Sequence, residues 1–217
     1  MIREAVKKHY IGMNKEFRNR GEEPGRLENF SDAVFALAIT LLLISSSSPT
    51  NFSQIKRFVY DLIPFISCIA VIVAIWHQHF IFFFRYGLRH GRIIVLNSIF
   101  LVIVLFYVYP LKFLARLILY PFALVTDNKP LIEEFSDVIE WTDVGDLMII
   151  YGSGYAGIFV VLMMMYRYAL KLADELGLNE IERFDTQVSI TTNMLMGIIP
   201  LISVVLCIIF RGHWYAG

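Results

Sequence analysis

The sequence has few charged residues for its length. They make up 18% of the 217 positions, whereas apolar residues make up 57% and the mean hydropathy is +0.62. Too few polar side chains are present to cover a water-soluble globule of this size. The formal net charge is zero, so the chain also lacks the surplus of Lys and Arg that proteins use to bind nucleic-acid phosphates. The composition therefore predicts an integral protein of the lipid bilayer and argues against a nucleic-acid partner.

Cysteine and metal-binding patterns are scarce as well. Cys68 and Cys207 both lie in apolar segments, where cysteine packs as a small apolar residue, so we expect neither a disulfide framework nor a metal site. No activated nucleophile is evident, and an enzymatic activity or a bound cofactor is not expected. The first 26 residues lack the short apolar core of a cleaved signal peptide, so we expect this segment to be retained.

Five apolar stretches are long enough to cross a bilayer as helices, because a span needs about 20 residues at about 1.5 Å per residue. They cover residues 30–48, 65–84, 93 to about 111, about 147–168 and about 188–210. The third is continued by an apolar segment with Lys112 and Arg116, which predicts an extension along the membrane interface. Glycines 152, 154 and 157 in the fourth stretch predict close packing between helices.

The segments between the spans differ in their basic residues. Lys and Arg are concentrated in alternate segments and are rare in residues 45–53 and 127–146, which predicts a cytoplasmic N-terminus. The basic positions are Arg26, then Arg85, Arg89 and Arg92, then Arg167, Lys171 and Arg183. We expect a polar, partly helical cytoplasmic arm at residues 1–26 and a single transmembrane domain at residues 27–217. Residues 127–146 hold seven acidic residues and fit either a solvated surface helix or a rim that concentrates cations.

The first span has two different faces on a helical wheel. One stripe is apolar and is flanked by Thr40, whereas Asp32 points to roughly the opposite side. The stripe consists of Ala33, Leu37, Leu41, Ile44 and Ser48. It could serve ordinary packing or a narrow pathway, and the helical spacing is compatible with both.

Asp32 needs a partner if it lies within the membrane, because an unpaired carboxylate costs about 2.5 to 3.5 kcal/mol at the centre of a span and less near its end. The candidates are Arg26, His77 and His79. Alternatively, Asp32 caps the helix N-terminus together with Ser31, and the two histidines are interfacial. A spacing of two places the histidines on different helix faces, which argues against a shared metal.

These residues resemble the signature helix of the endosomal and lysosomal potassium channel family known as transmembrane protein 175, and especially its bacterial members. The matching elements are Arg26, the Phe30-Ser31-Asp32 motif, the run Ala36-Leu37-Ala38-Ile39-Thr40-Leu41-Leu42, Trp76 with His79, Asn97, Tyr109-Pro110 and Tyr120-Pro121-Phe122. The resemblance covers most of the chain from Arg26 onward. A single Phe-Ser-Asp copy is typical of the bacterial, single-repeat subunits.

The resemblance implies an all-α, polytopic transmembrane bundle that assembles as a homotetramer around a pore lined by the first helix. It implies a potassium-selective channel in a bacterial plasma membrane, with passive conduction. The implied constriction is Leu37, with Leu41 and Ile44 as further apolar layers and Thr40 as a polar layer. From the residue pattern, Ser45 and Ser48 would lie at the pore mouth. The implied stabilising network is Arg26, Asp32 and His79, to which Ser31 is added as a neighbour of Asp32.

Two features depart from the family. A family repeat has six spans whereas five are counted here, so either a span lies beyond Gly217 or the second apolar region divides differently. The constriction residue is Leu37, where some members have isoleucine. A proton-coupled transporter or proton-conducting protein, with Asp32, His77 and His79 as titrating relays, is the alternative function.

Overall fold

The computed structural model describes residues 16–44, 51–52, 55, 62–125 and 144–214. These residues form five long helices and no strand: α1 (Arg26–Ile44), α2 (Leu62–Tyr86), α3 (Gly91–Val125), α4 (Val144–Lys171) and α5 (Glu180–Trp214). The predicted all-α bundle is therefore confirmed. Within the described part, α2, α3, α4 and α5 each contain a stretch long and apolar enough to cross a membrane. The shorter α1, which begins with Arg26 and Glu28, is not among these four.

Helix α1 begins at Arg26, one turn earlier than predicted. The Glu28 carboxylate accepts a hydrogen bond from the Gly25 backbone N–H, which caps the first turn. Asp32 consequently lies in the second turn, so the interpretation of Asp32 as the capping acid is wrong. The side chain of Ile44 and the predicted mouth residues Ser45 and Ser48 lie outside the described residues.

Helix α3 continues without a break through the predicted interfacial extension and ends at Val125. The side chains of Lys112 and Arg116 lie outside the described residues, as does most of the acidic segment with its predicted surface helix. The second to fifth helices all extend beyond the apolar stretches that predicted them. Several of the added ends carry polar residues, such as Arg85 at the end of α2 and Glu180 at the start of α5.

Helices α4 and α5 form a closely packed antiparallel hairpin, α3 packs against α4, and α1 lies against α2 and α3. The predicted role of the glycines in α4 is confirmed. A Cβ atom at Gly152 would lie 2.7 Å from the Val204 side chain on α5, and one at Gly154 would overlap the Tyr107 ring on α3. A larger residue at either site would therefore force these neighbouring side chains to shift.

Residues 16–25 form a non-helical segment that we call the strap, so the expected partly helical arm is not seen in its described part. The Gly21 N–H donates to the Phe84 carbonyl at 3.0 Å. Phe17 is buried edge-on against Tyr86, with 5.6 Å between ring centroids, and the Arg85 guanidinium lies 4.9 Å from the centre of its ring. The strap thus covers the C-terminal end of α2.

The strap also binds the start of α5 through the buried carboxylate of Glu182. The Arg18 backbone N–H donates to it at 2.8 Å, and the guanidinium groups of Arg18 and Arg20 donate at 3.0 and 2.9 Å. Asn179 completes a reciprocal cap, because its N–H donates to Glu182 and its Oδ1 accepts from the Glu182 N–H. The hydrogen bond and the charge of Glu182 raise the pKa of Arg18 above its ordinary value.

We predict that Glu182→Gln will loosen the strap. The substitution keeps the size of the side chain but removes the charge that two guanidinium groups share, and hydrogen bonds to a charged group are stronger than those to a neutral one. Trypsin should cleave after Arg18 and Arg20 markedly faster in the purified variant. Asp174→Asn is the control, because Asp174 pairs with Arg183 on the exposed surface and such pairs contribute little. Equal cleavage rates in Glu182→Gln and the wild type would contradict the view that Glu182 holds the strap in place.

Candidate functional site

One face of α1 anchors the helix to the rest of the chain. Ser31, Phe35, Ala38 and Leu42 are all buried, and their spacing of three or four residues places them on a single stripe. The helices that cover this stripe are α2 and α3. The apolar side chains Phe35, Ala38 and Leu42 belong to the main hydrophobic core of the protomer.

The opposite face of α1 is uncovered. Leu37 and Leu41 remain 49% and 44% exposed, and Ala33 and Thr40 are also exposed. The Thr40 hydroxyl donates to the Ala36 carbonyl at 2.9 Å, which leaves the lone pairs of its oxygen available to a further donor or a cation. The described part of the protomer therefore does not use this stripe for internal packing, which leaves the stripe open to lipid, solvent, other copies of the chain or residues outside the described part.

A series of buried hydrogen bonds joins α1, α2 and α3. The Ser31 hydroxyl donates to the Leu27 carbonyl at 2.8 Å, and the Asn97 amide Nδ2 donates to Ser31 Oγ at 2.9 Å. The remaining Asn97 oxygen lies 2.7 Å from His79 Nε2. Since that oxygen can only accept, His79 donates through Nε2. Ser31 Oγ, both polar atoms of the Asn97 amide and His79 Nε2 thus each have a hydrogen-bond partner away from water, which is what polar side chains within a membrane require.

Aromatic rings surround His79. The ring of Phe100 is stacked on the imidazole at 5.3 Å, and those of Phe83 and Phe35 lie at 4.7 and 5.7 Å. The histidine is 1% exposed and therefore lies in the interior of the protein, whereas its position at the depth of the membrane interface stays a prediction. His77 is partly exposed and lies alongside Phe80, with 6.5 Å between ring centroids.

The hydrogen-bond partner of Asp32 is none of the three candidates Arg26, His77 and His79. Its carboxylate accepts a hydrogen bond of 2.7 Å from the indole N–H of Trp76 on α2, and Trp76 is in turn stacked on Phe80 at 5.6 Å. Arg26 is exposed and, within the described protomer, is bonded to neither Asp32 nor His79. Ser31 and His79 are thus brought together through Asn97, Asp32 is held separately, and the part of Arg26 in a network stays a prediction.

Comparisons with known proteins identify the family. The family model described as "Endosomal/lysosomal potassium channel TMEM175" matches residues 26–107, which include α1, α2 and the first half of α3. A protein of Marivirga tractuosa named "Potassium channel" is 44% identical over 203 residues, which are 92% of this chain and 81% of that protein. The chain belongs to the TMEM175 family.

A solved structure of the TMEM175 family has the same fold. The crystal structure of the potassium channel MtTMEM175 T38A variant, in complex with a nanobody–MBP fusion protein, matches with a TM-score of 0.82 and 41% identity. The match covers 93% of this chain and 89% of that one.

A potassium channel of Chamaesiphon minutus is 30% identical over 111 residues, which are 48% of this chain and 55% of that protein. Family membership also favours a channel over a membrane enzyme.

Asn97 and Trp76 are central to the site, although the sequence predicted neither as a bonding partner in the network. The TMEM175 family match contains both residues. A signal for Asn97 was present, because an amide in the middle of an apolar span is costly without a hydrogen-bond partner. The partner itself, Ser31 or His79, could be chosen only once the packing of the three helices was known.

Proposed function

We propose that four copies of this chain form a potassium-selective channel whose central pore is lined by α1. The observation that supports this most strongly is the division of α1 into a buried face, held by Ser31 and Asn97, and an uncovered apolar face at Leu37 and Leu41. In a family of potassium channels, four such uncovered faces can meet around an axis. The apolar stripe then has an environment that the protomer alone does not supply.

In this proposal, rings of Leu37, Leu41 and Ile44 form the constriction. The sequence contains no Thr-Val-Gly-Tyr-Gly filter, so backbone carbonyl cages of that kind cannot provide selectivity. A narrow apolar ring makes it costly for an ion to pass with its full hydration shell. Potassium holds water less tightly than sodium and sheds it at a lower cost. The same rings could close the pore by excluding water.

Polar oxygens would replace part of the lost hydration. The Thr40 oxygen has lone pairs free while its proton is bonded to Ala36, so a ring of four Thr40 side chains presents acceptors to a cation. Ser45 and Ser48 would extend this polar lining at the pore mouth. The bonds from Asn97 to Ser31 and His79, and the separate bond of Asp32 to Trp76, would hold α1 at a fixed rotation about its axis, with Arg26 as a proposed further contributor.

The chain is a multi-pass membrane protein. We propose that it lies in a bacterial plasma membrane with its N-terminus in the cytoplasm. The strap contacts both the end of α2 and the turn before α5, so these segments lie at one end of the molecule. That end holds Arg85, Arg89 and Arg183. A surplus of basic residues at one end is typical of the cytoplasmic side.

Flux measurements in liposomes test the proposal against proton-coupled transport. Purified chain in liposomes loaded with potassium should dissipate the potassium gradient, with charge balanced by a permeant anion such as thiocyanate that leaves with the potassium, and without any proton movement in the opposite direction. The described protomer contains no hydrogen-bonded path through Asp32, His77 and His79, since Asp32 bonds to Trp76 and His79 to Asn97. Potassium flux that stops when proton counter-movement is blocked would support the transporter instead.

Asp32→Asn should change assembly more than conduction. The amide keeps an acceptor for the Trp76 N–H, but it is a weaker one than the carboxylate. We expect a smaller tetramer fraction in size-exclusion chromatography and an unchanged ratio of potassium to sodium flux through the tetramers that form. Normal tetramers with an altered flux ratio would instead indicate that Asp32 acts directly on permeating ions.

A further inference from the structure

A groove lies between the start of α3 and the end of α4. Its volume is about 780 Å³ and it is open to the surroundings of the protomer. Three cationic side chains line it, namely Arg92, Arg167 and Lys171. None of the proposed pore or network residues lines this groove, so it is a second site.

Within the described part of the chain, the charge of the groove is uncompensated. None of the described residues that line it is a carboxylate, and none of the three cations forms a salt bridge with another described residue. The Arg92 guanidinium lies 5.7 Å from the centre of the Tyr168 ring. This cation–π contact holds the Arg92 side chain of α3 against α4 without neutralising its charge. Three like charges are therefore held at one small site that an anion would stabilise.

The groove changes character along the helix axes. Arg92 is in the first turn of α3 and Lys171 is the last residue of α4, so the charges lie at helix ends, where lipid headgroups meet a membrane protein. Further along the two helices, away from these ends, the lining is apolar and comprises Val95, Leu96 and Met164. Val95 is 59% exposed. A cationic end followed by an apolar wall matches a phospholipid with its headgroup and acyl chains.

We propose that this groove binds an anionic phospholipid, with the phosphate on Arg92, Arg167 and Lys171 and an acyl chain along Val95, Leu96 and Met164. A zwitterionic lipid offers the same chains but no net negative charge. Basic pockets between transmembrane helices on the cytoplasmic side bind anionic headgroups, and each Lys or Arg contributes about 1 kcal/mol, which is about fivefold in affinity. Removing all three charges should therefore weaken binding by about 100-fold.

Native mass spectrometry of the purified full-length chain in detergent tests this. The protein is titrated with phosphatidylglycerol and, separately, with phosphatidylcholine of the same acyl chains. The wild type should bind phosphatidylglycerol at least tenfold more tightly, and the Arg92→Gln/Arg167→Gln/Lys171→Gln variant should lose that preference. Arg183→Gln is the control. Arg183 lies near the start of α5 and does not line the groove, so this variant should bind both lipids as the wild type does. Equal binding of the two lipids by the wild type would overturn the proposal.

Two further measurements distinguish a lipid site from a site for soluble phosphates and test the acyl-chain contact separately. Glycerol phosphate in millimolar excess should not displace the lipid, since it lacks the acyl chains; full displacement would identify a site for soluble phosphates and overturn the lipid proposal. If the triple variant fails to assemble, Val95→Trp provides an independent test, because it fills the apolar wall and keeps every charge. It should weaken phosphatidylglycerol binding at least fivefold, and unchanged affinity would contradict an acyl chain at this wall.

Discussion

Replacing Leu37 with alanine should raise potassium flux and reduce the preference for potassium over sodium. In the proposed pore, four Leu37 side chains narrow the same level, so the substitution removes twelve carbon atoms from one ring, namely one methine and two methyl carbons from each side chain. A barrier lowered by about 1.4 kcal/mol would raise the flux about tenfold. Sodium flux should rise more than potassium flux, because the wider ring admits ions with more of their water. Liposome flux of both ions under a fixed gradient measures this.

Leu43→Ala provides a matched control on the same helix. Leu43 is 47% exposed and Leu37 is 49% exposed, so the two changes remove the same atoms from similarly uncovered positions. On a helical wheel, however, Leu43 lies about 120° from Leu37. Leu43→Ala should therefore leave the flux ratio unchanged, whereas Leu41→Ala, about 40° from Leu37, should act in the same direction as Leu37→Ala. Equal effects of Leu37→Ala and Leu43→Ala would remove Leu37 from the constriction.

The sequence predicted the helices well because their signal is local. An apolar run of about 20 residues must be helical to satisfy its backbone in lipid, and α2, α4 and α5 follow the stretches that predicted them. The exact ends were harder to predict, because polar residues there are stabilised by particular contacts. Helix α1 begins at Arg26 because Glu28 caps the Gly25 N–H, and nothing in the apolar pattern requires that.

The two faces of α1 could be predicted, but their use could not. Periodicity separates Leu37 and Leu41 from Asp32, and the structure adds which face is buried: that of Ser31, Phe35 and Leu42. The pairing of polar groups depends on how helices distant in sequence approach one another. Asp32 and Trp76 are 44 residues apart, and Ser31 and Asn97 are 66 residues apart. The strap and Glu182, separated by more than 150 residues, were missed for the same reason.

Asn97→Leu should destabilise the channel more than any other single change in the buried network. Asn97 is 0% exposed and is the link between Ser31 and His79. Leucine has a similar size but leaves the His79 N–H without an acceptor among three aromatic rings. An unsatisfied buried donor costs about 1 to 3 kcal/mol, which corresponds to a fall in Tm of about 5 °C for a chain of this size. Thermal unfolding of the detergent-purified protein, followed by size-exclusion chromatography, measures this change.

A double-mutant cycle with His79→Phe distinguishes a lost hydrogen bond from a packing defect. Removing both polar partners can be nearly neutral where removing one is costly, and a phenyl ring at position 79 would continue the aromatic cluster of Phe83 and Phe100. The double variant should therefore unfold at a higher temperature than Asn97→Leu alone. Ser98→Ala is the control, because Ser98 is exposed and its hydroxyl bonds only the Ile94 carbonyl one turn earlier. If the two single effects simply add, His79 and Asn97 are not energetically coupled, and the cost of Asn97→Leu must come from the lost bond to Ser31 or from altered packing instead.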